Sequence, residues 1–149
     1  MKKLIFFCLS ILLIIFIGNE FCYINITKSL PLGIYRTIKS PPTYGSCVVF
    51  KLPEDNPMAE LAIRRGYAKE DQPFLKRVAY LEGDSYNLPE TEEFDSRGRK
   101  MEPFKPSSGY VAKGMIVVRG DSSTSFDSRY FGPIYAKNIE AIVKPLLTW

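Results

Sequence analysis

Residues 4–18, LIFFCLSILLIIFIG, contain a single polar side chain, Ser10, and follow Lys2 and Lys3 directly. A run this apolar belongs in lipid or in a cleaved leader. Fifteen helical residues reach only about 22 Å at roughly 1.5 Å each, against a hydrocarbon core about 30 Å thick. A secretory signal peptide shares the charged start and short apolar stretch, but GNEFCYIN at 18–25 offers no Ala-x-Ala cleavage pattern. An uncleaved anchor is the favoured reading, continued through FCYI at 21–24 or set in a locally thinned bilayer. Lys2 and Lys3 should then stay in the cytoplasm, giving a single-pass protein of the cytoplasmic membrane whose remaining chain is extracytoplasmic. The expected organisation is an anchor over 1–24 and one domain over 25–149.

Composition narrows the chemistry. With 46% hydrophobic and 24% charged residues the chain is that of a folded protein. It has no histidine, which excludes Ser-His-Asp, Cys-His and His-ligated zinc sites. Cys8, Cys22 and Cys47 form no Cys-x-x-Cys unit, so no metal or cofactor is expected; Cys22 and Cys47 are either a disulfide pair or two thiols. The net charge of +4 falls to +2 once residues 1–18 are set aside, and no basic stripe interleaved with aromatics survives, so nucleic acid is not an expected partner. RGRK at 97–100, the densest positive cluster, follows Asp95 and Ser96 around a glycine and reads as a hairpin turn.

Beyond the anchor the pattern is mainly β. GIYRTIK (33–39), SCVVFKL (46–52), FLKRVAYL (74–81) and MIVVRG (115–120) are short runs rich in Val, Ile, Phe and Tyr, bounded by Pro or Gly. They predict a small antiparallel β assembly. NPMAELAIRRGY (56–67) predicts one short surface helix, capped by Asn56 or Asp55 and ended by Gly66.

Three segments carry candidate chemistry. In NITKSLPLGIY (25–35), Thr27 and Ser29 are two apart, so an extended segment would turn both hydroxyls to one side, one as nucleophile and the other toward a developing oxyanion. The same residues near prolines also describe a plain turn, and Asn25-Ile26-Thr27 matches a glycosylation sequon. Leu30, Leu32 and Ile34 read equally as an apolar rim dipping into lipid or as core of the first strand. In PFLKRVAYLEGD (73–84), Lys76 shares a strand face with Phe74, Val78 and Tyr80. Desolvation there would favour the neutral amine, a general base; the alternative is a lysine that snorkels to solvent. In RGDSSTSFDSRYFGP (119–133), a length of loop-forming residues sets Asp127 and Arg129 between aromatics, which reads as scaffolding for a site.

In this order the three segments resemble the type I signal peptidase family, serine proteases with a Ser-Lys dyad, and its conjugative-transfer branch, the TraF-type peptidases that mature pilin subunits. SLPLGIY is similar to the family's Ser-x-Pro-x-Gly-x-Tyr nucleophile segment, LKRVAYLEGD to the segment that supplies the base, and GDSSTSFDSRYFGP to its Gly-Asp box. IRRGY before the lysine strand and DSRGRKMEP in the hairpin carry the likeness to the branch, while Ser122 stands where the family often has Asn. The resemblance implies a signal-peptidase-like antiparallel β fold, Ser29 as nucleophile and Lys76 as base. It further implies an oxyanion hole of the Thr27 hydroxyl and the Ser29 N–H, Ser125 orienting Lys76, and Asp127 with Arg129 as a supporting ion pair. The implied partners are a pilin-like or secreted precursor, the lipid bilayer and other transfer-apparatus proteins, and the implied product is either a trimmed or a cyclised chain. The rivals are a general leader peptidase and a catalytically silent membrane-anchored β-domain of a secretion or transfer complex.

Overall fold

A computed structural model describes residues 22–101 and 107–149 of the chain. The apolar run at 4–18 lies outside the described residues. Among those described, no helix is long and apolar enough to cross a membrane. The first element corrects one boundary, because Cys22–Asn25 forms strand β1, whose residues pair with 33–36 in an antiparallel ladder. Residues 22–24, assigned above to the anchor, therefore belong to the sheet, where their backbone groups find partners outside any helix.

Strands β2 (Gly33–Ile38), β3 (Cys47–Phe50), β4 (Phe74–Tyr80) and β7 (Met115–Arg119) fall where the Val- and Ile-rich runs predict them. Helix α1 (Pro57–Arg64) is also as expected: the Asn56 side chain accepts from the Met58 N–H at 2.9 Å, Pro57 opens it, and Gly66 follows its end. β5 (Ser85–Leu88) and β6 (Ser107–Tyr110) form a separate ribbon. A one-turn helix α2 (Ser128–Phe131) precedes β8 (Ile134–Tyr135) and the long β9 (Ile139–Thr148).

The main sheet has seven antiparallel strands in the order β1-β2-β9-β3-β4-β7-β8. β9 is the central strut, pairing with β2 on one side and β3 on the other. Pro145 is tolerated there because the β2–β9 register slips between Ile34 and Tyr35, a bulge that skips Leu146. At the same end β2 and β9 approach so closely that a Cβ on Gly33, whose φ is +155°, would collide with the Leu147 carbonyl oxygen.

β3 is buried on both faces, which is why CVVF reads as a continuous apolar run. Val48 and Phe50 enter a core shared with Val78, Val118, Ile142 and Ala62 of α1, while Cys47 and Val49 enter a smaller one with Leu30, Tyr35 and Val143. Leu30 is thus core and not an apolar rim. Cys22 and Cys47 are free thiols. They stand on β1 and β3, three strand spacings or roughly 14 Å apart, beyond the reach of a disulfide.

The sheet is strongly curled. β1 and β7 are five positions apart in strand order, roughly 24 Å in a flat sheet at about 4.8 Å per strand. Yet the Asp121 N–H, just beyond β7, donates to the Ser29 carbonyl, just beyond β1, at 2.6 Å. This curl brings the three sequence segments to one cleft.

Candidate active site

The first segment is a turn and not the extended stretch that residue spacing suggested, and one buried side chain organises it. Asn25, only 5% exposed, donates from Nδ2 to the carbonyls of Thr27, Leu30 and Pro31, each at 3.0 Å, and accepts at Oδ1 from the Thr27 N–H at 3.1 Å. The Tyr35 hydroxyl donates to the same Pro31 carbonyl at 2.7 Å. The folded turn achieves what extension was expected to do, because the Thr27 and Ser29 hydroxyl oxygens lie 3.1 Å apart. The sequon is inert, since the amide nitrogen a glycan would need is buried and fully engaged.

Lys76 comes from the middle of β4. It pairs in register with Val48 of β3, which places its side chain on the face of the larger core, and its Nζ lies 5.9 Å from the centre of the Phe74 ring. At 5% exposure it does not snorkel. Burial lowers its pKa from 10.5 to about 8; Asp127 pulls the value up and Arg129 pushes it down, both more weakly.

The third segment is a packed scaffold where composition alone would suggest a solvated loop. Asp127, fully buried, caps α2 by accepting from the Arg129 N–H at 3.1 Å, and its other oxygen accepts from the Gly120 N–H at 2.9 Å. The Arg129 guanidinium grips both Asp127 oxygens at 2.9 Å and donates onward to the carbonyls of Ser122, Ser123 and Ser125. Neither charge is left unpaired, the condition under which a buried ion pair is tolerated. Ser122 bonds the Thr124 hydroxyl at 3.0 Å and the Thr124 N–H at 3.3 Å, closing a small turn in its own way. What the scaffold presents is Ser125, 4% exposed, whose Oγ has no hydrogen-bond partner among the described residues.

Gly120 is where these parts meet. By the β4–β7 register it falls one step beyond the Arg77–Arg119 pair, opposite Lys76. A Cβ there would overlap Ser125 Oγ and come within 2.9 Å of the Ser29 carbonyl oxygen. Asp121, whose N–H holds that carbonyl, is itself held by Arg77 through two bonds of 3.0 Å. The strand that carries Lys76 thus also ties down the turn that carries Ser29.

Thr27, Ser29, Lys76 and Ser125 all line one cleft of about 810 Å3, with Phe74, Phe126 and Val49 among its apolar walls. Asp127 and Arg129 stand behind it as support. A buried hydroxyl sharing one cleft with an amine kept partly neutral by burial has the makings of a nucleophile and a base. Among the described residues no cluster of His, Cys, Asp and Glu could hold a metal ion. The sequence reading missed Asn25, Gly120 and the Arg77–Asp121 pair. Asn25 carried a signal, an amide opening a turn rich in Ser, Thr and Pro, but the sequon obscured it.

Residues 1–148 match the family described as signal peptidase, peptidase S26. Among curated proteins, the chain is 33% identical to the probable conjugal transfer protein TraF of Sinorhizobium fredii, over 85% of this chain and 77% of that one. It is 30% identical to the conjugal transfer protein TraF of Agrobacterium fabrum and 28% identical to a plasmid transfer protein TraF of Escherichia coli, in each case over 85% of this chain and 82% of the relative. With all but its last residue inside that match, the chain belongs to the signal peptidase family, peptidase S26.

Proposed function

We propose that this chain is a membrane-anchored serine endopeptidase that trims a pilin-like or secreted precursor during conjugative transfer. The observation that carries the reading is Lys76: a buried amine with a pKa near 8, in the same cleft as Ser29. Ser29 Oγ attacks the scissile carbonyl while neutral Lys76 takes its proton, and the Ser29 N–H, with the Thr27 hydroxyl once its proton turns from Asn25 Oδ1, stabilises the tetrahedral oxyanion. Ser125, whose unpartnered Oγ faces the same cleft, is assigned the role of orienting the lysine, and Arg129, gripped by Asp127, holds the Ser125 carbonyl in place. The acyl-enzyme is then resolved by water or by an amine of the substrate. Conjugation is suggested by the relatives, which are named as conjugal and plasmid transfer proteins.

A location at the cytoplasmic membrane, with the domain on its outer side, rests on the apolar run and on an exposed apolar patch that begins at the cleft with Ile24 and Ile26. There Ile24 of β1, Leu146 and Leu147 of β9, and Ile26 and Trp149 just past the ends of those strands are all more than half exposed, around the β2 strand that both β1 and β9 flank. Such a patch suits contact with lipid.

The test is processing of a pilin-like precursor by the full chain in vesicles. Ser29→Ala and Lys76→Ala are expected to abolish cleavage while preserving the fold. Lys76→Arg is expected to be inactive too, because arginine cannot lose its proton at accessible pH. Residual activity in Ser29→Ala above about one part in a thousand excludes it as nucleophile. Normal processing by Lys76→Arg makes the lysine a structural cation and favours the silent β-domain.

A further inference from the structure

The cleft has a one-sided charge. In a chain with 16 acidic residues, no Asp or Glu among the described residues lines it, whereas Lys28, Lys69, Lys76 and Arg97 do. Lys76 is accounted for by the reading above. The other three serve no purpose in it, and among the described residues none of them forms an ion pair.

Arg97 is the most informative because it is fixed in place. Its Nη2 donates to the Gly66 carbonyl at 2.8 Å and its Nη1 to the Arg65 carbonyl at 3.4 Å, so the hairpin at 94–100 delivers the guanidinium to the end of α1 beside the cleft. Asp95, two residues before it, does not neutralise this charge. One Asp95 oxygen accepts the backbone N–H groups of Arg97 and Arg99, and the other is taken by the Arg99 side chain and the Tyr67 hydroxyl at 2.8 Å each. A guanidinium has five N–H donors, and carbonyls occupy two of them here. What remains is an exposed but preorganised cation with open donors at the edge of a partly apolar cleft, where its planar fork can meet a carboxylate and several like charges add to one field.

We propose that Arg97, with Lys69 and Lys28 at the rim, forms a carboxylate subsite, so that the peptide taken by this cleft carries a carboxylate near the bond to be cut. The inference rests on the peptidase reading and deepens it by naming a substrate class. The carboxylate belongs either to an acidic side chain or to the terminus of the substrate.

The experiment uses the full chain in vesicles of neutral phosphatidylcholine and four fluorescent peptides of one Ala-rich sequence. One is neutral and amidated, one carries Glu and is amidated, one carries Lys and is amidated, and one is neutral with a free C-terminal carboxylate. Binding is measured on Ser29→Ala, and cleavage on the unaltered chain. At about 50 mM salt at least one carboxylate peptide should bind about tenfold more tightly than the Lys peptide, and the ratio should shrink toward one at about 500 mM. Whichever of the two carboxylate peptides shows the preference identifies the source. Arg97→Gln should erase most of the ratio. Lys69→Gln, at a side chain with no bond to lose, should reduce it and guards against a disturbed hairpin in the first variant. Equal affinities for all four peptides, or a ratio that survives both substitutions together, overturn the subsite. Ser29-dependent cleavage with no charge preference removes the subsite alone, whereas charge preference without any cleavage removes the peptidase reading alone.

Discussion

A lysine amine in a protein core is a conflict that folding would ordinarily avoid, and Lys76 makes that conflict measurable. Its pKa of about 8 lies below the 10.5 of the unfolded chain, so between those values the unfolded state binds more protons and stability rises with pH. The cost of the buried charge is complete below about pH 8 and fades by about pH 10.5. Lys76→Met should therefore be at least as stable as the parent at pH 7, with a gain of about 1 kcal/mol read as a Tm about 4 °C higher, while losing all cleavage. A loss of stability in that variant would make the lysine a structural element. For the same reason acylation of Ser29 should rise with pH along a single titration near 8, as a base that must be neutral requires. A profile already flat by pH 6 would contradict it. Asn25 offers a second residue-scale test. Removing its side chain strips the turn of five hydrogen bonds, so Asn25→Ala should lower kcat about 10- to 100-fold by displacing Ser29 and Thr27, an effect seen in the rate of Ser29 acylation more than in KM. Asn25→Asp should not restore activity, because a carboxylate oxygen would then face three carbonyls.

Between elements, a tight point within the candidate site is Gly120, where the end of β7 meets the Ser29 turn. Gly120→Ala places a methyl group where Ser125 Oγ and the Ser29 carbonyl already stand, so activity should fall at least tenfold while far-ultraviolet circular dichroism changes little. An active alanine variant would mean that these segments have more room than the structure shows. β1 makes a related prediction. A soluble fragment that begins at residue 22 keeps the edge strand and Asn25, whereas one that begins at 26 loses both; the first should react with a serine-directed acylating probe and the second should not. Why β1 escaped the sequence reading is physical: its apolar residues continue the run before them, so periodicity cannot mark where lipid-soluble chain becomes sheet. β9 escaped because Pro145 and two charges, Glu140 and Lys144, interrupt its pattern, although a bulge absorbs the proline. β5 and β6, SYNL and SSGY, are too polar and too short to stand out. By contrast β2, β3, β4, β7 and α1 were legible because each pairs a short apolar run or a periodic apolar face with a Pro, Gly or Asn boundary. Ser29, Lys76, Ser125, Asp127 and Arg129 were suggested only by the order of three segments taken together. Gly120 was not legible at all, since a glycine's need for empty space is imposed by a strand far away in sequence.

At the scale of the whole molecule, the sheet nearly closes on itself, and the Asp121 to Ser29 hydrogen bond lies at the seam. No strand ladder joins β1 to β7; across this seam the Asp121 N–H, itself braced by Arg77 of β4, holds the Ser29 carbonyl, and the cleft has walls from both flanks. The candidate active site is thus also the clasp of the fold. A molecule bound there spans both flanks, and its binding energy adds to the stability of the folded state. Opening of the seam and exposure of the nucleophile become the same event, observable as exchange of the Asp121 amide hydrogen. An inhibitor attached to Ser29 should slow that exchange and raise the temperature at which the entire domain unfolds, so that thermal shift alone can serve as the assay by which ligands of this cleft are found.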